Sequence, residues 1–159
     1  MNTSTRVTTE SDAGVKPFQW PVRVYWEDTD AGGIVFYANY LKFFERARTE
    51  WLRSLGVGQQ ALRDEVGGMF VVTDANIRYL RSARLDDSLL VTARAKDLGR
   101  ASLTIEQSVW LSPTDEKTGE PALLCEGSVR IGWVNGQHMR PTRIPNHVLD
   151  LLQPHTVAP

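Results

Sequence analysis

The sequence has one cysteine, three histidines and a net charge of only −1, and each scarcity removes a class of function. A lone Cys125 excludes an intrachain disulfide and a multi-cysteine metal site. His138, His147 and His155 all fall in the last quarter of the chain. No Gly-x-Ser-x-Gly elbow accompanies them, so a serine triad lacks its parts. No Gly-x-x-x-x-Gly-Lys phosphate loop is present either. Near-neutral charge and a pI of about 6.3 argue against nucleic acid as the principal partner. No apolar run approaches the roughly 20 residues needed to span a bilayer. The first residues lack an apolar signal segment, and Glu10 and Asp12 interrupt a Ser/Thr-rich start that would otherwise suit a mitochondrial presequence. The cytoplasm is the expected compartment.

With 159 residues and 42% hydrophobic content, the chain suits one domain with a sizeable core. Residues 1–16 are polar and read as a mobile N-terminal tail, 17–153 as the domain, and 154–159 as a C-terminal tail. Phe18, Trp20, Val22, Val24 and Trp26 alternate with polar neighbours, which predicts a strand with Pro21 at an edge. A helix follows to about Leu55: Tyr40, Phe44, Ala47, Trp51 and Leu55 recur at three- and four-residue steps, and Gly56 suits its stop. Lys42, Glu45, Arg46, Thr49, Glu50 and Arg53 fall mostly on its other side. Gln59 to Glu65 reads as a short second helix closed by Gly67-Gly68. Four strands are then expected, at 70–80, 89–96, 103–111 and 123–133, with a hairpin loop over Pro113–Pro121, a turn at Asn135-Gly136 and a short helix over Pro145–Gln153. Short connections favour an antiparallel sheet, and the one long amphipathic helix must pack on it, so the fold class is α+β.

The richest stretch runs from Tyr25 to Tyr40: a strand ends, Gly32 and Gly33 turn the chain, and a helix begins. If the helix starts near Tyr37, its first N–H groups point into the loop without intrahelical partners, and the helix dipole favours negative charge there. Such an N–H would polarise a thioester carbonyl and stabilise its oxyanion. Asp30, seven residues earlier, could attack that carbonyl or deprotonate a water that does. A thiolate leaves readily, so no strong general acid is needed. Gly32, Gly33, Val35 and Phe36 are candidate substrate contacts around the pair. An aspartate before a helix is also an ordinary N-cap or loop brace. A calcium loop beginning at Asp28 fails, because Gly32 and Asn39 stand where ligands are wanted. Arg81, Arg84, Arg100 and Arg140 are candidate phosphate contacts, with a solvated sheet edge as the alternative.

The run Asp28-Thr29-Asp30-Ala31-Gly32-Gly33-Ile34-Val35-Phe36-Tyr37-Ala38-Asn39-Tyr40, continued by Phe44-Glu45-Arg46-Ala47-Arg48-Thr49-Glu50, resembles the hot-dog-fold acyl-CoA thioesterases of the 4-hydroxybenzoyl-CoA thioesterase type. The nearest branch is the one associated with the Tol-Pal envelope system. The similarity spans about Pro21 to Pro145, including Ala83-Arg84-Leu85-Asp86-Asp87 and Arg140-Pro141. It departs at Tyr37, where the Tol-Pal branch usually has histidine and the aromatic-acyl branch tyrosine, and at Ser82, which replaces a common proline. The resemblance implies a curved five-stranded sheet wrapped around a central helix, Asp30 as the catalytic carboxylate and the Tyr37 backbone N–H as the oxyanion donor. It implies hydrolysis of an acyl thioester carried on CoA or an acyl carrier protein, without a metal or redox cofactor. It also implies a homodimer or homotetramer with active sites between subunits. A non-catalytic acyl-thioester-binding or envelope-assembly protein on the same fold is the rival reading. A hot-dog dehydratase would want a histidine base, which the glycine loop lacks. Trp110, Leu124 and Val134, out of phase with the strand core, are expected to mark a second contact surface by which dimers pair.

Overall fold

The computed structural model describes residues 14–112 and 120–158. The expected hairpin loop over 113–121 therefore lies mostly outside the described residues, as does most of the expected N-terminal tail.

The elements are β1 (Phe18–Arg23), α1 (Asn39–Ser54), α2 (Gln59–Val66), β2 (Gly68–Tyr79), β3 (Ser88–Leu98), β4 (Ser102–Leu111), β5 (Ala122–Asn135) and α3 (Asn146–Leu152), with short 3-10 turns at Trp26–Asp28 and Gln153–His155. Five strands make one fully antiparallel sheet in the order β1-β3-β4-β5-β2. The sheet curves around α1, whose Tyr40, Phe43, Phe44, Ala47, Trp51 and Leu52 are buried against inward residues such as Val91, Ile105, Val109 and Val129. This is the hot-dog arrangement. Each fully buried Phe or Leu stabilises it by about 1.5–3 kcal/mol. No helix among the described residues is long and apolar enough to cross a membrane.

Local chemistry sets the ends of the helices. At the end of α1, Val57 N–H donates to Leu52 O and Gly56 N–H to Arg53 O, with Gly56 at φ 85°. That is the paired bonding of a Schellman stop. Gly67, at φ 65°, closes α2. Asn135 Oδ1 accepts the N–H groups of Gln137 and His138, which builds the turn after β5.

Three expectations change. First, β1 ends at Arg23 rather than running on to Trp26. The Asp28 carboxylate accepts the Tyr25 N–H at 2.8 Å and rolls the chain into a 3-10 turn, leaving Trp26 81% exposed. Second, the C-terminal residues do not stop at α3. Thr156 bridges Ala95 on β3, and Val157 N–H donates to Ala95 O. Third, Leu124 and Val134 do not form an outward apolar surface with Trp110. The β4–β5 register shifts between Val109 and Trp110, and this bulge turns Leu124 into the core at 3% exposure. Val134 is buried beside a bridge to Pro141, and Trp110 is half-buried with its Nε1–H on Ser108 Oγ. The outer sheet face is instead polar. Glu106 binds Arg94 at 2.7 Å and Lys96 at 3.0 Å, and Arg78 pairs with Glu126. Arg94 and Lys96 hold the Glu106 carboxyl below its usual range.

Cys125 is fully buried, and desolvation pushes its thiol up to about 12. The folded protein should therefore give no rapid reaction with a disulfide thiol reagent, and one equivalent after denaturation. A fast native equivalent would contradict this packing.

Candidate active site

The glycine stretch folds into a small hairpin. Thr29 pairs with Val35, Asp30 N–H donates to Ile34 O at 2.9 Å, and Gly33 N–H donates back to Asp30 O at 3.0 Å. Gly33 sits at φ 74°, the left-handed position that a three-residue hairpin with a bulge requires. Its tip presents Asp30, which is exposed. Asp30 Oδ1 accepts the Gly32 N–H at 2.8 Å, while its Oδ2 has no hydrogen bond among the described residues. The loop-brace alternative thus holds for one carboxylate oxygen and leaves the other open. A Cβ at residue 32 would lie 3.1 Å from Asp30 Oδ1, so Gly32 makes room for the carboxylate.

The two aspartates of Asp-x-Asp do different things. Asp28 is 4% exposed and structural. Its carbonyl receives the Phe36 N–H at 2.9 Å and Asn39 Nδ2 at 2.8 Å. Asn39 is the first residue of α1, so this bond ties the helix start to the base of the hairpin. Ala83 O takes the Val35 N–H, and Ile34 bridges Arg84, which fastens the hairpin to the segment before β3.

The helix begins two residues later than expected, at Asn39 with Ala38 as N-cap and no side-chain cap. Phe36 O accepts the Asn39 N–H at 2.8 Å, so Tyr37 lies within the entry turn. Its backbone N–H has no acceptor among the described residues. The Phe36 and Asn39 N–H groups that bracket this turn are both bonded, which holds the Tyr37 N–H as a fixed donor at the positive end of α1.

Aromatic rings gather here. Tyr37 is 63% exposed and packs on Phe36 at 4.8 Å and edge-on to Tyr79 at 6.2 Å between ring centroids. Tyr79 O–H donates to Tyr37 O at 2.8 Å, and its ring also meets Tyr40 at 5.6 Å. Tyr40 O–H accepts the Ala83 N–H. Burial raises both the Tyr40 and the Tyr79 phenol, so both stay protonated near pH 7.

Other expected contacts divide. Phe36 is exposed beside Tyr37, whereas Val35 is a core residue, 3% exposed, and not an open substrate contact in the single chain. Arg81 and Arg84 lie at the hairpin end of the sheet, next to Tyr79 and Ala83. Arg100, in the β3–β4 turn, and Arg140, whose carbonyl accepts the Asn135 N–H after β5, lie at the opposite end. The four do not form one surface within the chain. A cleft of about 930 Å³ also lies at that far end, between Arg100, Arg130, Lys96 and the Thr156–Val157 segment. It has no part in the Asp30 hairpin.

Sequence reasoning missed Asn39 and Tyr79 as positioning groups. Asn39 carried a signal, since a polar residue six places past Gly33, where a helix is expected to begin, is a natural tether. Tyr79 did not, because its partner is 42 residues away.

A family model described as thioesterase superfamily matches residues 32–118, more than half of the chain and starting just after Asp30. The acyl-CoA thioesterase YbgC of Haemophilus influenzae is 40% identical over 131 residues, covering 82% of this chain and 90% of that protein. YbgC of Helicobacter pylori is 30% identical over 131 residues, 82% of this chain and 96% of the relative. Among solved structures, a probable thioesterase from Bartonella henselae superposes with a TM-score of 0.73 at 32% identity, covering 82% of this chain and all of that one. A 4-hydroxybenzoyl-CoA thioesterase variant in complex with 4-hydroxybenzoyl-CoA has a TM-score of 0.77 at 20% identity, over 85% of this chain and 97% of that one, and so speaks for the fold alone. On the match to the family model and to relatives along most of their length, the chain belongs to the thioesterase superfamily, on the hot-dog fold.

Proposed function

We propose that the protein hydrolyses acyl-CoA thioesters to a carboxylic acid and CoA, with Asp30 as nucleophile or general base and the Tyr37 N–H as oxyanion donor. The observation that carries this reading is the unpaired Tyr37 N–H in the entry turn of α1, which directly follows the hairpin that holds Asp30 with one oxygen open. The thioester carbonyl oxygen docks on the N–H, which stabilises the charge that develops there. Losing one such donor typically costs about 3–4 kcal/mol of transition-state stabilisation. In the general-base route Asp30 takes a proton from water as the hydroxide adds to the carbonyl carbon. The C–S bond then breaks and CoA leaves as thiolate, which is protonated in solvent. In the nucleophilic route an Asp30 carboxylate oxygen adds first, the C–S bond breaks to release CoA thiolate and leave a mixed anhydride, and water then cleaves that anhydride to the acid and restores the Asp30 carboxylate. The YbgC relatives, named as acyl-CoA thioesterases, support the substrate class.

Purified protein incubated with a panel of acyl-CoAs and a thiol-detecting reagent tests this. Saturable thiol release is expected, and saturable binding without release would favour the non-catalytic acyl-thioester binder instead.

The single chain leaves Asp30 and Tyr37 open to water, and an oxyanion donor acts more strongly where water is excluded. The sheet edges indicate what covers them. β1 is six residues long and carries Pro21. β2 is twelve residues long, lacks proline, and exposes Val72 and Tyr79 next to Leu80 and Phe36. A long edge strand without proline, with unpaired backbone groups and exposed Val72 and Tyr79, calls for a partner strand. Two copies pairing along β2 make a dimer, and antiparallel pairing brings the Arg100–Arg140 end of one copy to the Asp30 end of the other. Light scattering at low micromolar concentration should give a dimer. An active monomer would sink both the assembly and the shared pocket.

The arginines serve the phosphates of CoA in this arrangement. Replacing Arg84 or Arg100 by alanine should raise KM more than it lowers kcat, with a smaller effect on a pantetheine thioester that lacks the nucleotide. Equal losses on both substrates would remove the assignment.

A further inference from the structure

Among the described residues, four polar or charged ones are buried: Asp28, Asn39, Arg48 and Gln107. The first two build the hairpin–helix junction. The other two have no part in it. Arg48, in the third turn of α1, is 8% exposed, and its Nη1–H donates to Gln107 Oε1 at 2.9 Å. Gln107 Nε2 is itself held by Phe44 O at 3.0 Å and Thr92 O at 3.3 Å. A guanidinium carries five N–H donors, so this leaves most of them unused. No carboxylate lies within ion-pair distance of Arg48 among the described residues. Burial lowers the Arg48 pKa from its ordinary value, and the nearby Glu45 carboxylate acts against that. A buried cation without a direct counter-ion is expensive to keep unless something pairs with it.

Arg48 opens onto a cleft of about 340 Å³ between α1 and β2, at the small end of the range for ligand pockets. Leu41, Val72 and Val129 give it apolar walls, and Lys42, Glu45 and Arg48 give it two positive groups against one negative. Leu41, Glu45 and Arg48 follow one another at steps of four and three, a single stripe along the helix. The stripe begins one turn beyond the Tyr37 N–H. The cleft thus runs along the helix whose entry turn carries the proposed oxyanion donor, with Leu41 at its near end and Arg48 about two turns further on.

We infer that Arg48 is a specificity-determining residue that binds an anionic group at the far end of the acyl chain, so that the preferred substrates are CoA half-thioesters of dicarboxylic acids. This rests on the hydrolase reading above. A carboxylate there supplies the missing counter-ion and accepts the guanidinium donors in a bidentate pair, while its methylenes lie against Leu41, Val72 and Val129.

Paired substrates of equal length test it: butyryl- against succinyl-CoA, hexanoyl- against adipoyl-CoA, and octanoyl- against suberoyl-CoA. At the best-fitting length the wild-type protein should show kcat/KM at least about tenfold higher for the dicarboxylic member, the scale of one charged hydrogen bond. In Arg48→Met, which keeps the apolar stem, that ratio should fall by at least about tenfold through KM, and Arg48→Lys should restore part of it. A role confined to packing α1 on Gln107 would lower both members together and leave the ratio unchanged, which would overturn the inference. Equal wild-type rates for both members at every length would overturn it without any variant. Turnover of neither series would instead remove the hydrolase reading itself, and this inference with it.

Discussion

Replacing Asp30 by asparagine is expected to lower kcat for acyl-CoA hydrolysis by at least about 100-fold while the protein stays folded. The two halves of that expectation come from different atoms. Oδ1 braces the hairpin by accepting the Gly32 N–H at 2.8 Å, and the amide oxygen of asparagine can accept the same bond. Oδ2 is the open oxygen, and the amide nitrogen that replaces it can neither attack a carbonyl nor take a proton from water. Asp30 is exposed, so the exchange strands no buried charge. KM should change little, because the Tyr37 N–H, the aromatic cluster and the arginines are untouched. Steady-state kinetics with circular dichroism and thermal unfolding on the same preparation check both halves. A folded variant with near-normal turnover would remove Asp30 from the chemistry.

The largest effect on stability is expected at Gly127. β2 and β5 approach so closely there that a Cβ would lie 2.0 Å from Asn76 O and 3.0 Å from Ile77 Cα. Both obstacles are backbone, so no side-chain rotamer relieves the clash, and the strands must separate or slip. Overpacking usually costs about 1–3 kcal/mol, and a rigid backbone obstacle belongs at the top of that range or beyond it. In a chain of this size that corresponds to a loss of roughly 6–12 °C in Tm for Gly127→Ala. Activity should fall as well, because β2 carries Tyr79 to the Tyr37 carbonyl and forms the edge proposed for dimer pairing. Urea and thermal unfolding measure the first effect. A Gly127→Ala protein within about 0.5 kcal/mol of wild type, the range of an ordinary surface change, would show that the strands do not approach this closely.

Much of the architecture was legible because it is written in local patterns. Tyr40, Phe44, Ala47 and Trp51 at helical spacing do face the core, Gly56 and Gly67 do stop their helices, and the alternation at 103–111 and 123–133 does make β4 and β5. The misplacements have long-range causes. β1 ends early because the Asp28 side chain competes with the strand for the Tyr25 N–H. Leu124 turns inward because of a register shift that depends on the neighbouring strand. Arg48 was half legible. It stands four residues after Phe44 and four before Leu52, on the buried side of α1, but an arginine there finds its place only through Gln107, 59 residues away.

The candidate site divides the same way. Asp30, the glycines and an unpaired N–H at the start of a helix could be inferred from adjacent residues. What fixes them could not: the Val35 N–H on Ala83 O and the Tyr79 hydroxyl on Tyr37 O both join segments far apart in sequence. Tyr37 itself shows why the backbone matters more than the side chain here. Its ring is largely exposed, and the proposed catalytic atom is its amide, which any residue other than proline would supply.

The central claim, hydrolysis at the Asp30 hairpin, is tested most directly by quantifying free acid and CoA thiol together from one acyl-CoA, with wild type and Asp30→Asn side by side. The account predicts catalytic release of acid and thiol in equal amounts by the wild type, and retention of bound, unhydrolysed thioester by the variant. Equal product release by the two proteins, or intact thioester recovered from both, would contradict it.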